Sequence, residues 1–228
     1  MKIPREEPAK TRDRLLEAAV EIFAEKGFRE STVAEICRKA AANVAAVNYH
    51  FGGKAALYGE ACRHVISQSH RAHPPDGGVS DGAPPEERLR GQVTALLRRV
   101  ADKNNREFLF MHREMSHPTG LLKKAIQDEI RSLSRRTERL VRELLGPRVS
   151  ETEARFCAWG IISQCVNPSV IRRRCKDGRA AQDGLPRIDD IEAYARHVAL
   201  FSLGGIAAVR EMAQGLRENR RARSCRKE

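Results

Sequence analysis

The stretch of sequence that decides the fold is STVAEICRKAAANVAAVNYHFGGK, residues 31–54. Thr32 followed by Glu35 has the spacing of a capping box, which predicts the start of a short helix. Asn43 follows an alanine-rich turn and is a good N-cap for a second helix, Val44 to about Phe51, which a pair of glycines then ends. Two short helices separated by about three residues have the spacing of a helix-turn-helix.

The second helix of this motif has an inward and an outward face. At about 100° per residue, Val44, Val47 and Phe51 fall within about 60° of one another and predict the stripe that packs against neighbouring helices. The residues predicted to face outward are Ala45, Ala46, Asn48, Tyr49 and His50.

The outward residues have the chemistry that DNA recognition requires. Alanines let the backbone approach base edges, and their methyl groups match the methyl of thymine. Asn48 can form two hydrogen bonds to adenine, worth about 1–3 kcal/mol of discrimination, while Tyr49 and His50 carry polar tips suited to phosphate oxygens. The competing interpretation is an ordinary three-helix surface on which these side chains are merely exposed.

The rest of the chain also has helical patterns and no alternating, strand-like run, which predicts an all-α protein. Thr11 begins a first helix that Gly27 ends, and a fourth helix runs from about Lys54 to Ser69. Further helices are predicted near 86–102, 104–115, 119–145, 150–166 and 188–214. Boundaries are predicted at Pro118, Gly146–Pro147 and Asn167–Pro168.

Segments rich in proline and glycine divide the chain. Residues 70–85, HRAHPPDGGVSDGAPP, indicate a mobile connector between two lobes, and residues 176–186 interrupt the second lobe. The predicted parts are a helix-turn-helix DNA-binding domain at 1–70, a flexible connector at 71–85, a larger helical effector-binding and dimerisation domain at 86–216, and a basic tail at 217–228.

The charge balance points to a polyanionic partner, since 42 Lys and Arg against 30 Asp and Glu give a net charge of +12. Residues 1–60 hold ten Lys and Arg against nine Asp and Glu, however, so the excess lies in the C-terminal lobe. Runs of this kind, such as Arg172–Arg174, are usually solvated faces. A second DNA contact through the tail is an alternative.

Several classes of protein are excluded. No window approaches 18 consecutive apolar residues, which argues against a membrane span, and the charged N-terminus lacks a signal-peptide core, which predicts a cytoplasmic location. The six cysteines form no CxxC pair, and no nucleotide-binding loop, nucleophile elbow or HExxH motif occurs. We therefore expect no enzyme activity, no cofactor and no metal site.

The sequence from Thr11 to about Val65 closely resembles the DNA-binding domain of TetR-type transcriptional regulators. The resemblance rests on Gly27-Phe28, Thr32 and the Tyr-His-Phe-x-x-Lys signature that ends at Lys54. The form NVAAVNYHFGGK is most similar to the CecR/CerR branch, as are a Phe- and Met-containing helix near 108–115 and the segment WGIISQCVNP from Trp159 to Pro168.

The resemblance implies roles for individual residues. Thr32, Tyr49, His50 and Lys54 match positions that contact the DNA backbone, while Ala45, Ala46 and Asn48 match positions that face the bases. Asn43, at the start of the recognition helix, completes the predicted site. One departure is Ala41, which stands where the family usually has glycine; if its φ is positive, alanine costs on the order of 1 kcal/mol there.

For the C-terminal lobe the resemblance implies a homodimer and a small-molecule effector. The helices predicted to pair two copies are the last two long ones, roughly 150–166 and 188–214. Their predicted apolar surface includes Ala195, Ala199, Leu203, Ile206 and Val209, although the same stripe is also compatible with a core. The residues predicted to contact a small, mostly apolar or aromatic effector are Phe108, Met111, His112, Met115, Phe156 and Trp159. A Phe and Met stripe of this spacing is more often plain core.

The predicted function is that of a ligand-responsive, sequence-specific transcriptional regulator, a repressor that binds a pseudo-palindromic operator as a homodimer and is released by its effector. The alternative is a non-specific nucleic-acid-binding or helical adaptor protein that acts through the basic C-terminal lobe. Salt-sensitive binding without sequence preference distinguishes this alternative from the regulator.

Overall fold

The chain is all-α, as predicted. A computed structural model describes residues 8–176, 188 and 190–224, with side chains for 9–167, 188 and 190–215. These residues form nine helices and no strand. The helices are α1 (Pro8–Glu30), α2 (Val33–Lys39), α3 (Val44–Phe51), α4 (Lys54–Ala72), α5 (Pro85–Ala101), α6 (Glu107–Ser116), α7 (Lys123–Leu145), α8 (Glu151–Lys176) and α9 (Ile191–Ser224). Within the described residues, no helix is long and apolar enough to cross a membrane.

Some of the sequence-based expectations lie outside the described residues. These are the N-terminal residues up to residue 7, the interruption after residue 176, and Cys225 with the end of the tail. The side chains of Arg172–Arg174 and Cys175 are outside them as well.

The described helices form two compact units. The first combines Met1–Ala72 with Lys103–Glu129, and the second combines His73–Asp102 with Ile130–Glu228. Helix α6 therefore packs with the helix-turn-helix, on α1 and α4, although sequence analysis grouped it with the helices that follow residue 86.

The first unit is built around aromatic side chains. The rings of Phe23 in α1 and Tyr58 in α4 meet edge to face at 4.8 Å, and Tyr58 stacks on Phe110 of α6 at 5.7 Å. All three rings are buried, together with Ile36 of α2 and Val47 of α3. Because aromatic rings bury large apolar areas, this cluster supplies much of the stability of the unit.

The second unit is a bundle in which α5, α8 and α9 pack on one another. Ala195, Ala199 and Ile206 of α9 are buried in its core. The prediction that the stripe containing them pairs two copies is therefore wrong, because this face of α9 is already covered within one protomer. The alternative of a core stripe is the one observed.

Helix α8 does not end before Pro168, as the Asn167–Pro168 signal predicted, but continues to Lys176. Proline has no N–H, so within a helix the oxygen four residues earlier loses its donor. Here that oxygen belongs to Gln164, and the hydroxyl of Tyr194 on α9 donates to it at 3.2 Å. A hydrogen bond from a neighbouring helix thus replaces the one that proline removes. Helix α9 likewise continues beyond its predicted end, to Ser224.

The connector forms consecutive turns that lie against α5. A Cβ atom added to Gly77 would lie 2.3 Å from the main-chain oxygen of Gly91, so only glycine fits this approach. Within α1, Gly27 has a φ of 76° and breaks the helical geometry, while helical turns resume up to Glu30. The stop predicted at Gly27 is therefore a kink. Mobility of the connector stays a prediction.

Candidate DNA-binding site

Helix α2 begins with the predicted capping box. The Thr32 hydroxyl accepts from the Glu35 amide at 3.2 Å, and the Glu35 carboxylate accepts from the Thr32 amide at 3.0 Å. Lys26 pairs with the same carboxylate at 2.5 Å. The hydrogen bond from Lys26, followed by those from Thr32, holds the pKa of Glu35 below its usual range. The exposed Thr32 hydroxyl is therefore engaged in fixing the helix start, and its phosphate contact stays a prediction.

The turn between α2 and α3 contains a strained alanine. Ala41 has a φ of +49°, the only non-glycine residue with positive φ among those described. The Ala42 amide donates to the Cys37 oxygen at 2.9 Å, which closes the turn. The backbone thus keeps the conformation that suits glycine, and the expected cost of alanine at this position applies.

Helix α3 is fixed at both ends. The Asn43 side-chain oxygen accepts from the Ala45 amide at 3.0 Å, so the predicted N-cap is present. At the other end Gly52 adopts a left-handed conformation with φ 77°, and its amide donates to the main-chain oxygen of Asn48 at 2.9 Å. Because each cap supplies a partner to an otherwise unpaired backbone group, an eight-residue helix is held in a defined register.

The outward face of α3 differs from the predicted one by part of a turn. Tyr49 is 80% exposed and Val44 is 51% exposed, with Ala45 and Asn48 also exposed between them. Ala46 packs against the hydrophobic core instead. The predictions that Val44 faces inward and Ala46 outward are therefore wrong, because the core lies on the Ala46–Val47 side of the helix.

Val44 is the outward residue that sequence analysis missed. An apolar residue directly after an N-cap gave the only signal, and helical periodicity alone assigned it to the packed stripe. Its methyl groups extend the surface offered by Ala45.

The polar residues at the end of α3 and the start of α4 lie close to the core. His50 is half-buried, and its ring meets that of Tyr49 edge to face at 4.9 Å. The Lys54 ammonium lies 4.5 Å from the centroid of the Phe28 ring, and burial lowers the pKa of Lys54. The predicted phosphate contacts of His50 and Lys54 stay predictions.

The last turn of α6 is tied to α1 and to α4. The Arg113 guanidinium donates to the Ala24 oxygen at 2.8 Å and to the Glu25 oxygen, both near the end of α1. The neighbouring Glu114 carboxylate accepts from the Tyr58 hydroxyl of α4 at 3.5 Å. Burial, followed by the charge of Glu114, raises the pKa of Tyr58 above its usual value.

The predicted effector residues lie on two helices, α6 of the first unit and α8 of the second. On α6, Phe108 and Met111 are half-buried, His112 is exposed and accepts from or donates to Ser116 at 2.9 Å, and Met115 is 71% exposed. On α8 of the second unit, Phe156 and Trp159 are 70% and 74% exposed. Contact of these residues with an effector stays a prediction.

A small cavity of about 100 Å³ lies in the first unit between the end of α1 and the end of α6, lined by residues including Gly27, Tyr58, Arg113 and Thr119. Pockets for drug-sized ligands hold roughly 300–1,000 Å³, so this cavity is too small for such a molecule. Among the described residues, no group of His, Cys, Asp or Glu side chains is arranged to hold a metal ion.

Comparisons with known proteins agree with the helix-turn-helix. A family model described as "Bacterial regulatory proteins, tetR family" matches residues 15–61. A second model, "HTH-type transcriptional dual regulator CecR, C-terminal domain", matches residues 85–206, more than half of the chain.

Individual relatives match over parts of the chain. The probable HTH-type transcriptional regulator YttP of Bacillus subtilis is 36% identical over 63 residues, which span 28% of each chain. The uncharacterized HTH-type transcriptional regulator TtgW of Pseudomonas putida is 32% identical over 108 residues, 45% of this chain and 72% of TtgW. The crystal structure of a TetR-like transcriptional regulator from Rhodococcus sp. RHA1 has the same fold, with a TM-score of 0.63 and 18% identity over 90% of this chain and 99% of that one.

Proposed function

Because the chain belongs to the TetR family of transcriptional regulators and has a C-terminal domain of the CecR type, we propose that it represses transcription by binding a pseudo-palindromic operator as a homodimer. The observation that carries the proposal is the exposed face of α3, formed by Val44, Ala45, Asn48 and Tyr49. Its two caps fix the helix while Val47 anchors it in the core.

This face offers each type of contact that a recognition helix needs. Val44 and Ala45 present methyl groups without bulk, Asn48 has both a donor and an acceptor for an adenine edge, and Tyr49 extends a hydroxyl to a phosphate oxygen. Thr32, Asn43, His50 and Lys54 flank this face as further backbone contacts, and Ala46 supports it from the core side.

The homodimer rests on an apolar surface of the second unit. Helices α8 and α9 pack on each other, and both carry large apolar side chains exposed to between 63% and 74%: Phe156, Trp159, Leu200, Phe201 and Met212. A cluster of large exposed apolar residues is characteristic of a protein interface. A second copy that covers this surface by two-fold symmetry would present two recognition helices to two half-sites.

A small-molecule effector releases the operator in this proposal. On α6, its contacts are the predicted residues Phe108, Met111, His112 and Met115. The hydrogen bonds of Arg113 to α1 and of Glu114 to α4 connect α6 to two helices that pack on the recognition helix α3. The effect on operator affinity equals the difference in effector affinity between the two conformations.

The interior of the second unit adds polar atoms that an effector can use. The Gln92 side-chain oxygen and the Ser202 hydroxyl are buried and have no hydrogen-bond partner among the described residues. Unpaired buried polar groups cost about 1–3 kcal/mol each, so an effector that hydrogen-bonds to them gains affinity.

The proposed function includes no catalytic step.

Selection of bound sequences from a random duplex pool tests the proposal. We expect enrichment of two inverted half-sites whose centres are separated by about one helical turn or a multiple of it. If the protein retains duplexes without enriching any sequence, and binding falls steeply with salt, the alternative of non-specific binding through the basic C-terminal lobe replaces the regulator.

A further inference from the structure

Arg12, on α1, contacts the last residue of the recognition helix α3 and a residue of the following helix, α4. Its guanidinium carbon lies 5.2 Å from the centroid of the Phe51 ring, the last residue of α3. A nitrogen of the same guanidinium donates to the Glu60 carboxylate of α4 at 2.9 Å. One side chain of the first helix therefore joins α3 to α4.

The anchor on α4 is itself fixed. Glu60 also accepts from Arg63 at 2.6 Å, one turn further along α4. Hydrogen bonds from Arg63 and then from Arg12 hold the pKa of Glu60 below its usual range, so the carboxylate is charged at neutral pH. Arg12 and Arg63 bind different oxygens of this carboxylate.

We infer that Arg12 is a positioning residue for DNA recognition: it sets the orientation of α3 by linking the Phe51 ring to Glu60 of α4, and it does not contact DNA itself. The inference rests on the proposed function of α3. Arg12 lies before residue 15, where the match to the TetR family model begins, and none of the predicted DNA contacts includes it.

Helix α3 needs such a support because of its length. It has eight residues, and Val47 is its fully buried residue, so Phe51 supplies the second packing point one turn later. Phe51 is half-buried and packs against the hydrophobic core, and the Arg12 guanidinium lies over its ring. A small rotation of α3 about Val47 would move Asn48 and Tyr49 away from their contacts.

The substitution Arg12→Met tests the inference because methionine keeps much of the side chain's length and removes its charge and donors. We expect the dissociation constant for the selected operator to rise roughly five- to tenfold, the size of one cation–π contact. Affinity for unrelated duplex and the slope of log K against log salt are expected to stay unchanged, because no phosphate contact is lost.

Arg63→Met is the matched control. It removes the other partner of Glu60 and leaves the contact between Arg12 and Phe51 in place, so operator affinity is expected to stay within twofold of wild type. A reduction of the salt slope by about 0.9 in Arg12→Met would instead make Arg12 a phosphate contact and overturn the inference. Unchanged operator affinity in Arg12→Met would overturn it as well.

Hydrogen exchange of the free protein separates this inference from the proposed function. In Arg12→Met we expect the amides from Val47 to Gly52 to exchange about tenfold faster, while those of α2 keep their rates. Unchanged exchange in α3 would overturn the inference whatever the DNA results. If wild-type protein bound no specific sequence, the proposed function would fail, and the exchange rates would still decide the role of Arg12.

Discussion

The Tyr194 hydroxyl on α9 donates to the main-chain oxygen of Gln164 on α8 at 3.2 Å, and this is the oxygen that Pro168 leaves without a helical donor. Burial raises the pKa of Tyr194, so the hydroxyl remains a donor throughout the neutral range. The contact joins the two helices that carry the exposed apolar surface of the second unit.

The substitution Tyr194→Phe removes this donor and keeps the ring. We expect it to lower the free energy of unfolding by about 1 kcal/mol, because a part-buried carbonyl is left without its hydrogen-bond donor. Urea denaturation at a fixed protein concentration measures the change. Tyr49→Phe, which removes an exposed hydroxyl, is the control and should leave the unfolding midpoint in place; an equal midpoint for Tyr194→Phe would show that the hydroxyl contributes nothing.

Replacing Ala41 by glycine relieves the strain in the turn before α3. Since Ala41 has a φ of +49°, we expect Ala41→Gly to raise the free energy of unfolding by about 1 kcal/mol. Ala34→Gly, at an exposed position inside α2, should lower it by about the same amount. Thermal denaturation of the two variants beside wild type gives shifts of opposite sign if the turn is strained. Destabilisation by both would contradict the strained turn.

The close approach of the connector to α5 predicts a sensitive glycine. A Cβ at Gly91 would lie 2.5 Å from a methyl carbon of Val79 and 2.8 Å from the Asp76 oxygen. We expect Gly91→Ala to destabilise the protein by about 1–3 kcal/mol through overpacking, despite the helix propensity of alanine.

Gly59→Ala, in α4, is the corresponding control. Its added Cβ would meet the Arg63 side chain at an ordinary contact distance of 3.7 Å, so we expect unchanged or slightly higher stability. Equal melting temperatures for Gly91→Ala and wild type would mean that the connector does not pack on α5 in solution.

The apolar surface of α8 and α9 predicts the oligomeric state. Phe201 is 63% exposed in one protomer, so Phe201→Ser removes little intramolecular packing. We expect wild type to sediment as a dimer at micromolar concentration and Phe201→Ser to shift toward the monomer. Met115→Ser is the control: it replaces an equally exposed apolar side chain on the first unit, and this variant should remain dimeric. A wild-type monomer, or a fully dimeric Phe201→Ser, would exclude this surface as the interface.

Local signals predicted the helix-turn-helix well. Thr32, Asn43 and Gly52 act through their own side chain or backbone on atoms a few residues away, and their caps form as expected. The orientation of α3 was harder to predict, because a short helix covered on one side by a core has too few residues to define an apolar stripe. Val44 and Ala46 were consequently assigned to the wrong faces.

Long-range packing limited the prediction elsewhere. The local sequence around Pro168 predicts a helix end. The hydrogen bond that replaces the missing helical one comes from the Tyr194 hydroxyl, 26 residues away along the chain from Pro168, and it forms only in the folded state. The burial of Ala195 and Ala199, and the exposure of Phe156 and Trp159, depend on which helix each face meets. No local pattern contains that information.

The measurement that tests the central claim most directly is a binding titration of wild type and Tyr49→Ala against DNA upstream of the protein's own gene. Excess unrelated duplex is present at fixed salt. We predict a wild-type complex that survives the competitor, and a loss of about ten- to one-hundredfold in affinity for Tyr49→Ala, the worth of a hydrogen bond to a charged group. Binding that the competitor abolishes, and that Tyr49→Ala leaves unchanged, would contradict recognition by α3.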